Sequence, residues 1–136
     1  MKVKKKMPLF RKIDCIRIPV PSLEEVLDFY SKSLGHELIW RTATSIGLRI
    51  PESEAELVIH TEPDDLETDI TVESAEIAAQ EFIRAGGSII QGPFDIPIGK
   101  CVIVKDPWKN RLVLLDNSKG IYQTDNKGNV IGMKKN

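Results

Sequence analysis

The residues of this sequence that are best suited to chemistry lie on two short alternating stretches. In IDCIRIPV, a strand period of two places Cys15 and Arg17 on one face. In TDITVE, the same period places Asp69 and Thr71 on one face. Arg17 and Asp69 fit either a structural ion bridge or a site in which Arg17 clamps an anionic ligand. Cys15 is a candidate nucleophile only if a base activates it, and no histidine can be assigned to that task.

Other candidate ligand-binding residues lie on further strand-like runs. Arg111 and Val113 share a face if RLVLLD is a strand. Trp40 suits either core or dimer packing or stacking on a ligand ring. His60 suits either a strand-end surface or a ligand contact, and the remaining candidates are Arg49 and Cys101.

These candidates must be positioned by regular elements, and the helix signals occur twice. Ser22 followed by Glu25 is typical of a capping box, the apolar residues after it have helical spacing, and Gly35 supplies a left-handed stop. Ser74 begins a second helix that ends at Gly86. Its predicted buried stripe is Ile77, Ala78, Phe82 and Ala85. Each helix follows one strand-like run and precedes three more, so the pattern βαβββ is predicted twice.

The chain is predicted to be one α+β domain, residues 1–136, built from two such modules. Module one covers about residues 12–62, module two about residues 67–116, and a tail with a small hairpin covers residues 117–136. One helix on a small sheet leaves the other sheet face wet, so the modules are expected to curl side by side into an incomplete barrel. The concave face between them is the expected ligand cleft.

Composition narrows the class of partner. The 136 residues carry a net charge of −1 at pH 7, which gives no electrostatic basis for nucleic-acid binding. No apolar run approaches the length needed to span a bilayer. The lysine-rich start, MKVKKKMPLF, is too broken in apolar content for a signal peptide and is expected to be a solvated terminus. Cys15 and Cys101 have no CxxC spacing and are expected to be reduced thiols of a cytoplasmic protein.

Two motifs make the chain resemble the glyoxalase/bleomycin-resistance/extradiol-dioxygenase superfamily, also called vicinal oxygen chelate proteins. They are IDxIxxxVxxLxxxxxFYxxxLG, which begins at Ile13, and GG…GP…DPWxNRLxLLD in the second module. The resemblance spans about residues 13–116. It implies a glyoxalase-like fold with a central cleft, a small-molecule partner and a homodimer.

The resemblance also implies where metal ligands would lie. Metal-dependent members place His and Glu ligands on the first and last strands of each module. Carried over to this chain, the first-strand positions fall on Cys15 and Asp69, and the closing glutamate falls on Val113. The fourth position falls nearest Val58 in the alternating run Glu56, Val58 and His60. Valine cannot donate to a metal, so the usual metal site is expected to be absent and no cofactor is expected. The alternative is a displaced divalent site formed by Cys15, His60 and Asp69.

The sequence therefore predicts a protein that binds a small anionic or aromatic molecule without the usual metal ligands. The alternative is a metal-dependent lyase, isomerase or dioxygenase with a displaced site, which leaves open whether the protein is an enzyme. A third interpretation is an interaction or regulatory module whose cleft is filled by its own side chains around Trp40, Arg17 and Leu115. The fold alone supplies no ligand, because sites rather than folds carry activity.

Overall fold

The computed structural model describes residues 7–135, so the predicted solvated segment at residues 1–6 lies outside the described residues. The described part contains two helices, α1 (Leu23–Leu27) and α2 (Ala75–Arg84). Its strands are β1 (Lys12–Pro19), β2 (Leu38–Arg41), β3 (Ser45–Arg49), β4 (Glu56–His60), β5 (Glu67–Thr71), β6 (Ser88–Ile96), β7 (Gly99–Lys105), β8 (Arg111–Leu115), β9 (Ile121–Thr124) and β10 (Val130–Lys134).

An eight-stranded sheet carries both modules, in the order β2-β3-β4-β1-β5-β8-β7-β6. In each module the first strand pairs in parallel with the last, and the two first strands pair antiparallel at the centre. The sheet does not close on itself, so the predicted α+β fold of tandem βαβββ modules in an incomplete barrel is confirmed. The strands β9 and β10 form the separate hairpin that was predicted for the tail.

The first helix is shorter and less regular than predicted. After Ser22, α1 runs over Leu23–Leu27 and continues as a π-helical segment, Asp28–Ser33. Ser22 makes no side-chain cap hydrogen bond, so the predicted capping box is wrong. The predicted stop at Gly35 is confirmed by its φ of +83°, a left-handed conformation that glycine adopts without steric cost. The apolar side of the helix packs on the buried residues of β3 and β4.

The second helix follows the prediction at its ends but not along its buried stripe. The Ser74 Oγ accepts a hydrogen bond from the Ile77 N–H at 3.2 Å, and Gly86 follows the helix with φ +112°. The side chain of Ile77 is 59% exposed and Ala85 is exposed as well, which contradicts their predicted burial. The residues buried on α2 are Ala75, Ala78 and Ala79. Because these side chains are small, the helix lies close to the sheet, and Phe82 extends the contact.

Asp116 fastens the end of module two to its helix. Its buried carboxylate accepts hydrogen bonds from the backbone N–H groups of Ala75 at 2.8 Å, Lys100 at 2.9 Å and Ser118 at 3.1 Å. Burial alone would raise the pKa of Asp116, but the hydrogen bonds outweigh it and the pKa is lowered. The carboxylate therefore holds α2, β7 and the segment after β8 in one arrangement.

The two faces of the sheet have different partners. Residues of β7 and β8 such as Val102 and Leu114 pack against α2, and residues of β3 and β4 pack against α1. The other face, which no helix covers within residues 7–135, forms the cleft. Among the same residues, no helix has the length and apolar character needed to cross a membrane.

Candidate functional site

The face of the sheet opposite the helices encloses a cleft of about 870 Å³, and its two sides differ in chemistry. Module two contributes an apolar wall formed by Phe94, Ile96, Ile98, Cys101, Ile103, Val113 and Leu115. Most charged groups lie on module one and at the start of β5. The carboxylates of the lining are Asp14, Glu54, Glu56, Glu62, Asp64, Glu67 and Asp69, and its cationic side chains are Lys12, Arg17 and Arg111. The cleft is therefore amphipathic, with an excess of acidic groups.

Three side chains with potential metal ligands meet where β1 pairs with β5. The ligand atoms of Asp14, Cys15 and Asp69 lie within 4.8 Å of one another. The Cys15 Sγ donates a hydrogen bond to Asp69 Oδ2 at 3.5 Å. A β-bulge brings two successive residues to one site, because the register with β5 shifts between Ile13 and Cys15. In a regular strand, Asp14 and Cys15 would point to opposite faces.

Burial favours the protonated forms of this cluster. It raises the pKa of Asp69 to about 8, an effect that the hydrogen bond and charge of Glu67 strengthen and that Arg17 opposes. Burial also raises the pKa of Asp14, which its hydrogen bond with Cys15 partly offsets. The pKa of the Cys15 thiol is raised by burial and then by the charges of Asp69 and Asp14. A cation placed among these groups would replace their protons, because metal ligands bind in their deprotonated forms.

Glu67 links the cluster to two arginines. Its carboxylate lies 3.7 Å from Arg17 Nε and 3.7 Å from Arg111 Nη1, and only 14% of the Glu67 side chain is exposed. Arg17 Nη2 also contacts Glu62 Oε2 at 3.0 Å. Arg17 therefore forms ion pairs with Glu62 and Glu67, and its charge is compensated before any ligand enters the cleft.

One oxygen of the cluster has no hydrogen-bond donor. Asp69 is 6% exposed, and its buried Oδ1 has a donor only if Asp69 or Glu67 carries a proton. An oxygen of this kind costs free energy unless a proton or a cation compensates it. Two carboxylates and a thiol combine hard and soft ligands, a set that suits a borderline ion such as Zn²⁺. Three protein ligands leave a coordination position open, as in catalytic zinc sites, so the residues present fit a divalent cation.

The strand register identifies equivalent positions in the two modules. Cys15 lies opposite Glu56 on β4, and Asp69 lies opposite Val113 on β8. The fourth metal-ligand position, which the resemblance put nearest Val58, therefore corresponds to Glu56, two residues earlier on the same face of β4. Glu56 is a carboxylate beside the cluster, whereas its counterpart Val113 cannot donate to a cation.

Trp40 forms part of the module-one wall. Its indole crosses Gly47 so closely that a Cβ at that glycine would overlap the ring. The indole Nε1 donates a hydrogen bond to Glu56 Oε1 at 2.7 Å, and the Tyr122 ring packs on it with centroids 5.1 Å apart. Burial raises the pKa of Glu56, and the hydrogen bond from Trp40 partly offsets that effect. Because only 9% of Trp40 is exposed, it is a packed part of the wall, and Tyr122 covers it.

Most of the predicted ligand-binding residues line the cleft. These are Cys15, Arg17, Trp40, Asp69, Cys101, Arg111 and Val113. Arg49 lies outside it and pairs with Glu37 at 3.0 Å on an exposed surface. His60 is fully buried at the end of β4, where its Nδ1 accepts the Glu62 N–H, and Thr71 is buried outside the lining. His60 therefore does not join Cys15 and Asp69 in a displaced site, and the third potential ligand of that cluster is Asp14.

Three residues on which the account of the cleft depends, Asp14, Glu67 and Tyr122, were not predicted. The bulge hides Asp14 from period-two reasoning, because it turns a side chain that should face away. Extending TDITVE back to Glu67 places that residue on the same face as Asp69, so this signal was present in the sequence. Tyr122 lies in the tail, and its contact with Trp40 depends on tertiary packing alone.

Comparison with known proteins agrees with the fold. The family described as Glyoxalase/Bleomycin resistance protein/Dioxygenase superfamily matches residues 12–114 of the chain. The chain belongs to this superfamily. No protein among the curated sequences matches this superfamily member.

Several solved structures are similar to this chain in fold at low sequence identity. One is methylmalonyl-CoA epimerase from Mycobacterium tuberculosis, with a TM-score of 0.65 and 13% identity over 83% of this chain and 92% of the other. A Mn(II)-bound glyoxalase from Novosphingobium aromaticivorans has a TM-score of 0.58 and 18% identity over 77% of this chain and 37% of the other. An extradiol ring-cleaving dioxygenase from B. fuscum has a TM-score of 0.58 and 20% identity over 81% of this chain and 33% of the other. At these identities the likeness establishes the fold alone.

The expectation that this superfamily member needs no cofactor is wrong. The three ligand atoms of Asp14, Cys15 and Asp69 point to a metal, and a Mn(II)-bound glyoxalase stands among the similar structures. The sequence argument failed because it considered only the four positions carried over from the family and a displaced site that included His60. It could not see that a bulge adds Asp14 to Cys15 and Asp69.

Proposed function

We propose that the protein is a metal-dependent enzyme that acts on a small, oxygen-bearing organic molecule in the cleft, with the cation held by Asp14, Cys15 and Asp69. The observation that carries this proposal is the buried Oδ1 of Asp69, which has no donor unless Asp69 or Glu67 carries a proton, within a cluster of three potential ligands. A divalent cation would satisfy that oxygen and compensate the two aspartates. When bound, it supplies Lewis-acid polarisation of a ligand oxygen.

The remaining residues of the cleft position the ligand and its charge. Arg17 and Arg111 hold Glu67 next to Asp69, so this carboxylate stays within reach of the cluster as a proton acceptor. The apolar wall around Phe94 and Ile98 suits a hydrocarbon or aromatic part of the ligand. The excess of carboxylates in the lining disfavours a highly anionic ligand. The ligand class is therefore a molecule with one metal-binding oxygen end and one apolar end.

Metal binding by the purified protein tests the proposal. Protein isolated without chelators is expected to contain close to one equivalent of a divalent metal, and the stripped protein to bind Zn²⁺ by calorimetry. The variants Cys15→Ser and Asp69→Asn each remove one ligand and are expected to weaken binding at least about tenfold. Asp95→Asn is the matched control, because Asp95 is an exposed carboxylate that pairs with Lys119. Equal Zn²⁺ affinity in all four proteins, or no binding, would refute the assignment.

A second function, binding without turnover, is favoured by one observation. Arg17 and Arg111 both form ion pairs with Glu67, so this carboxylate is already engaged with two cationic groups of the protein. In that case the cleft sequesters a molecule without chemical change. Incubation of metal-loaded protein with a metabolite extract separates the two functions. An enzyme depletes one compound beyond its own molar amount, whereas a sequestering protein retains a stoichiometric amount unchanged.

We also infer a cytoplasmic homodimer from the free thiols of Cys15 and Cys101 and from family membership. Light scattering of the purified protein tests the dimer, which predicts twice the mass of one 15.3 kDa chain. A mass of one chain at working concentration would contradict it.

A further inference from the structure

The tail of this chain lies outside the region that matches the superfamily. That region ends at residue 114, and the hairpin of β9 and β10 begins at Ile121. The hairpin is nevertheless fixed to module one. The Arg41 N–H donates to the Gly128 carbonyl at 2.8 Å, and Arg41 also forms a parallel bridge with Asn129. The hairpin therefore lies beyond the region that matches the superfamily but is attached to module one.

The turn of the hairpin is held by its own side chains. Asp125 Oδ1 accepts the N–H groups of Lys127 at 2.8 Å and Asn129 at 2.9 Å. These bonds satisfy the turn and fix its direction, as Asx-type turns do. The strand β9 is thereby held at the edge of the cleft, where Ile121, Tyr122 and Thr124 belong to the lining.

Tyr122 is a hairpin residue that both lines the cleft and packs against buried residues of module one. Its ring packs on Trp40 at a centroid distance of 5.1 Å and joins the buried group of Cys15, Trp40 and Val58. Its pKa is raised, first by burial, and its hydroxyl also responds to the charges of Arg17 and Glu56. The phenol hydroxyl can donate a hydrogen bond, and Tyr122 lies in the cleft lining against the group that contains the candidate metal ligand Cys15.

We propose that the hairpin is part of the ligand site and that Tyr122 contacts the bound molecule, with its hydroxyl donating a hydrogen bond to a ligand oxygen. This inference rests on the proposed function, because it assumes that the cleft binds an oxygen-bearing molecule. It assigns specificity to a segment outside the region that matches the superfamily, in keeping with the usual role of loops and connecting segments around a rigid scaffold. It also makes Tyr122 the cover that closes the Cys15 side of the cleft.

The first test uses Co²⁺ as the metal and benzohydroxamate as the probe, since its two oxygens chelate divalent ions and its ring fits an apolar wall. Wild type, Tyr122→Phe and the control Gln123→Ala, an exposed neighbour outside the lining, are compared by Co²⁺ absorption spectra. Tyr122→Phe keeps the ring packing and removes only the hydroxyl. We expect unchanged Co²⁺ spectra in all three proteins and about three- to tenfold weaker benzohydroxamate binding in Tyr122→Phe alone. Equal probe affinity in all three proteins with normal Co²⁺ spectra would overturn the inference.

The second test needs no metal and measures directly how far Tyr122 shields Cys15 from solvent. Cys15 is 4% exposed and Cys101 is 5% exposed, so the two thiols start equally buried, and Tyr122 packs against the group of Cys15 but not that of Cys101. Tyr122→Ala is expected to speed N-ethylmaleimide labelling of Cys15 by about tenfold and to leave Cys101 unchanged, as measured by peptide mass spectrometry. Unchanged labelling of Cys15, or equal acceleration of both thiols, would refute the cover. Absence of a Co²⁺ spectrum in wild type counts against the proposed function, and this labelling then decides the inference.

Discussion

Replacement of Gly47 by alanine tests how the module-one wall is built. A Cβ at this position would overlap the indole of Trp40, so the ring must move. That movement strains a packed site, at a cost of about 1–3 kcal/mol. It also breaks the 2.7 Å hydrogen bond to Glu56, and a hydrogen bond to a charged group contributes about 1.5–3 kcal/mol. We therefore expect Gly47→Ala to lower the free energy of unfolding by about 2.5–6 kcal/mol.

Gly132→Ala is the matched control. Both glycines lie in strands, and a Cβ at Gly132 would meet only Gln123 Oε1 at 3.8 Å, an ordinary contact. The two variants share the same effect on the unfolded chain, so their difference isolates the overlap with Trp40. Urea titration gives the stability of each, and fluorescence in a Trp108→Phe background reports Trp40 alone, with a red shift expected for Gly47→Ala. Equal stability of the two variants and an unshifted spectrum would refute this account of the wall.

Two further predictions concern buried carboxylates. Asp116→Asn replaces one accepting oxygen with an NH2 group, so one backbone N–H loses its acceptor, and the expected loss in free energy of unfolding is about 2–3 kcal/mol by urea titration. The exposed control Asp95→Asn should leave the stability nearly unchanged. Similar losses for both variants would contradict the role of Asp116. The pKa of Asp69 is raised in the folded protein, so as the pH rises the unfolded chain releases the Asp69 proton at a lower pH than the folded chain does. Between pH 4 and about 8, Asp69 should therefore lower the stability of the metal-free protein by up to about 1.4 kcal/mol per pH unit. Asp69→Asn should remove that component, and parallel pH profiles for wild type and variant would show that Asp69 is not perturbed.

Much of the fold could be predicted because the local sequence patterns of one βαβββ module occur twice along the chain. The alternating strands and the glycines after each helix, Gly35 and Gly86, specified two βαβββ modules without any tertiary information. The details that failed depend on packing. Ser22 has the residue type of a cap but makes no cap bond, and Ile77 has helical spacing but points to solvent, because small alanines bring α2 close to the sheet.

The site was less predictable than the fold. Alternation placed Cys15, Arg17 and Asp69 on one face, where the structure also has them lining the cleft. It could not place Asp14, because a bulge reverses the direction of a single side chain without a sequence signature of its own. Nor could it place Tyr122, whose position depends on where the tail folds back. Local periodicity thus predicted which residues of β1 and β5 face the cleft, whereas the set of potential metal ligands became clear only from the tertiary structure.

X-ray absorption spectroscopy of the protein loaded with one equivalent of Zn²⁺ tests the central claim most directly, because it identifies the ligand atoms. The claim predicts one sulfur ligand at about 2.3 Å and oxygen ligands at about 2.0–2.2 Å, with the sulfur lost in Cys15→Ser. A spectrum that contains no sulfur ligand, or that is unchanged by Cys15→Ser, would contradict a metal site formed by Asp14, Cys15 and Asp69.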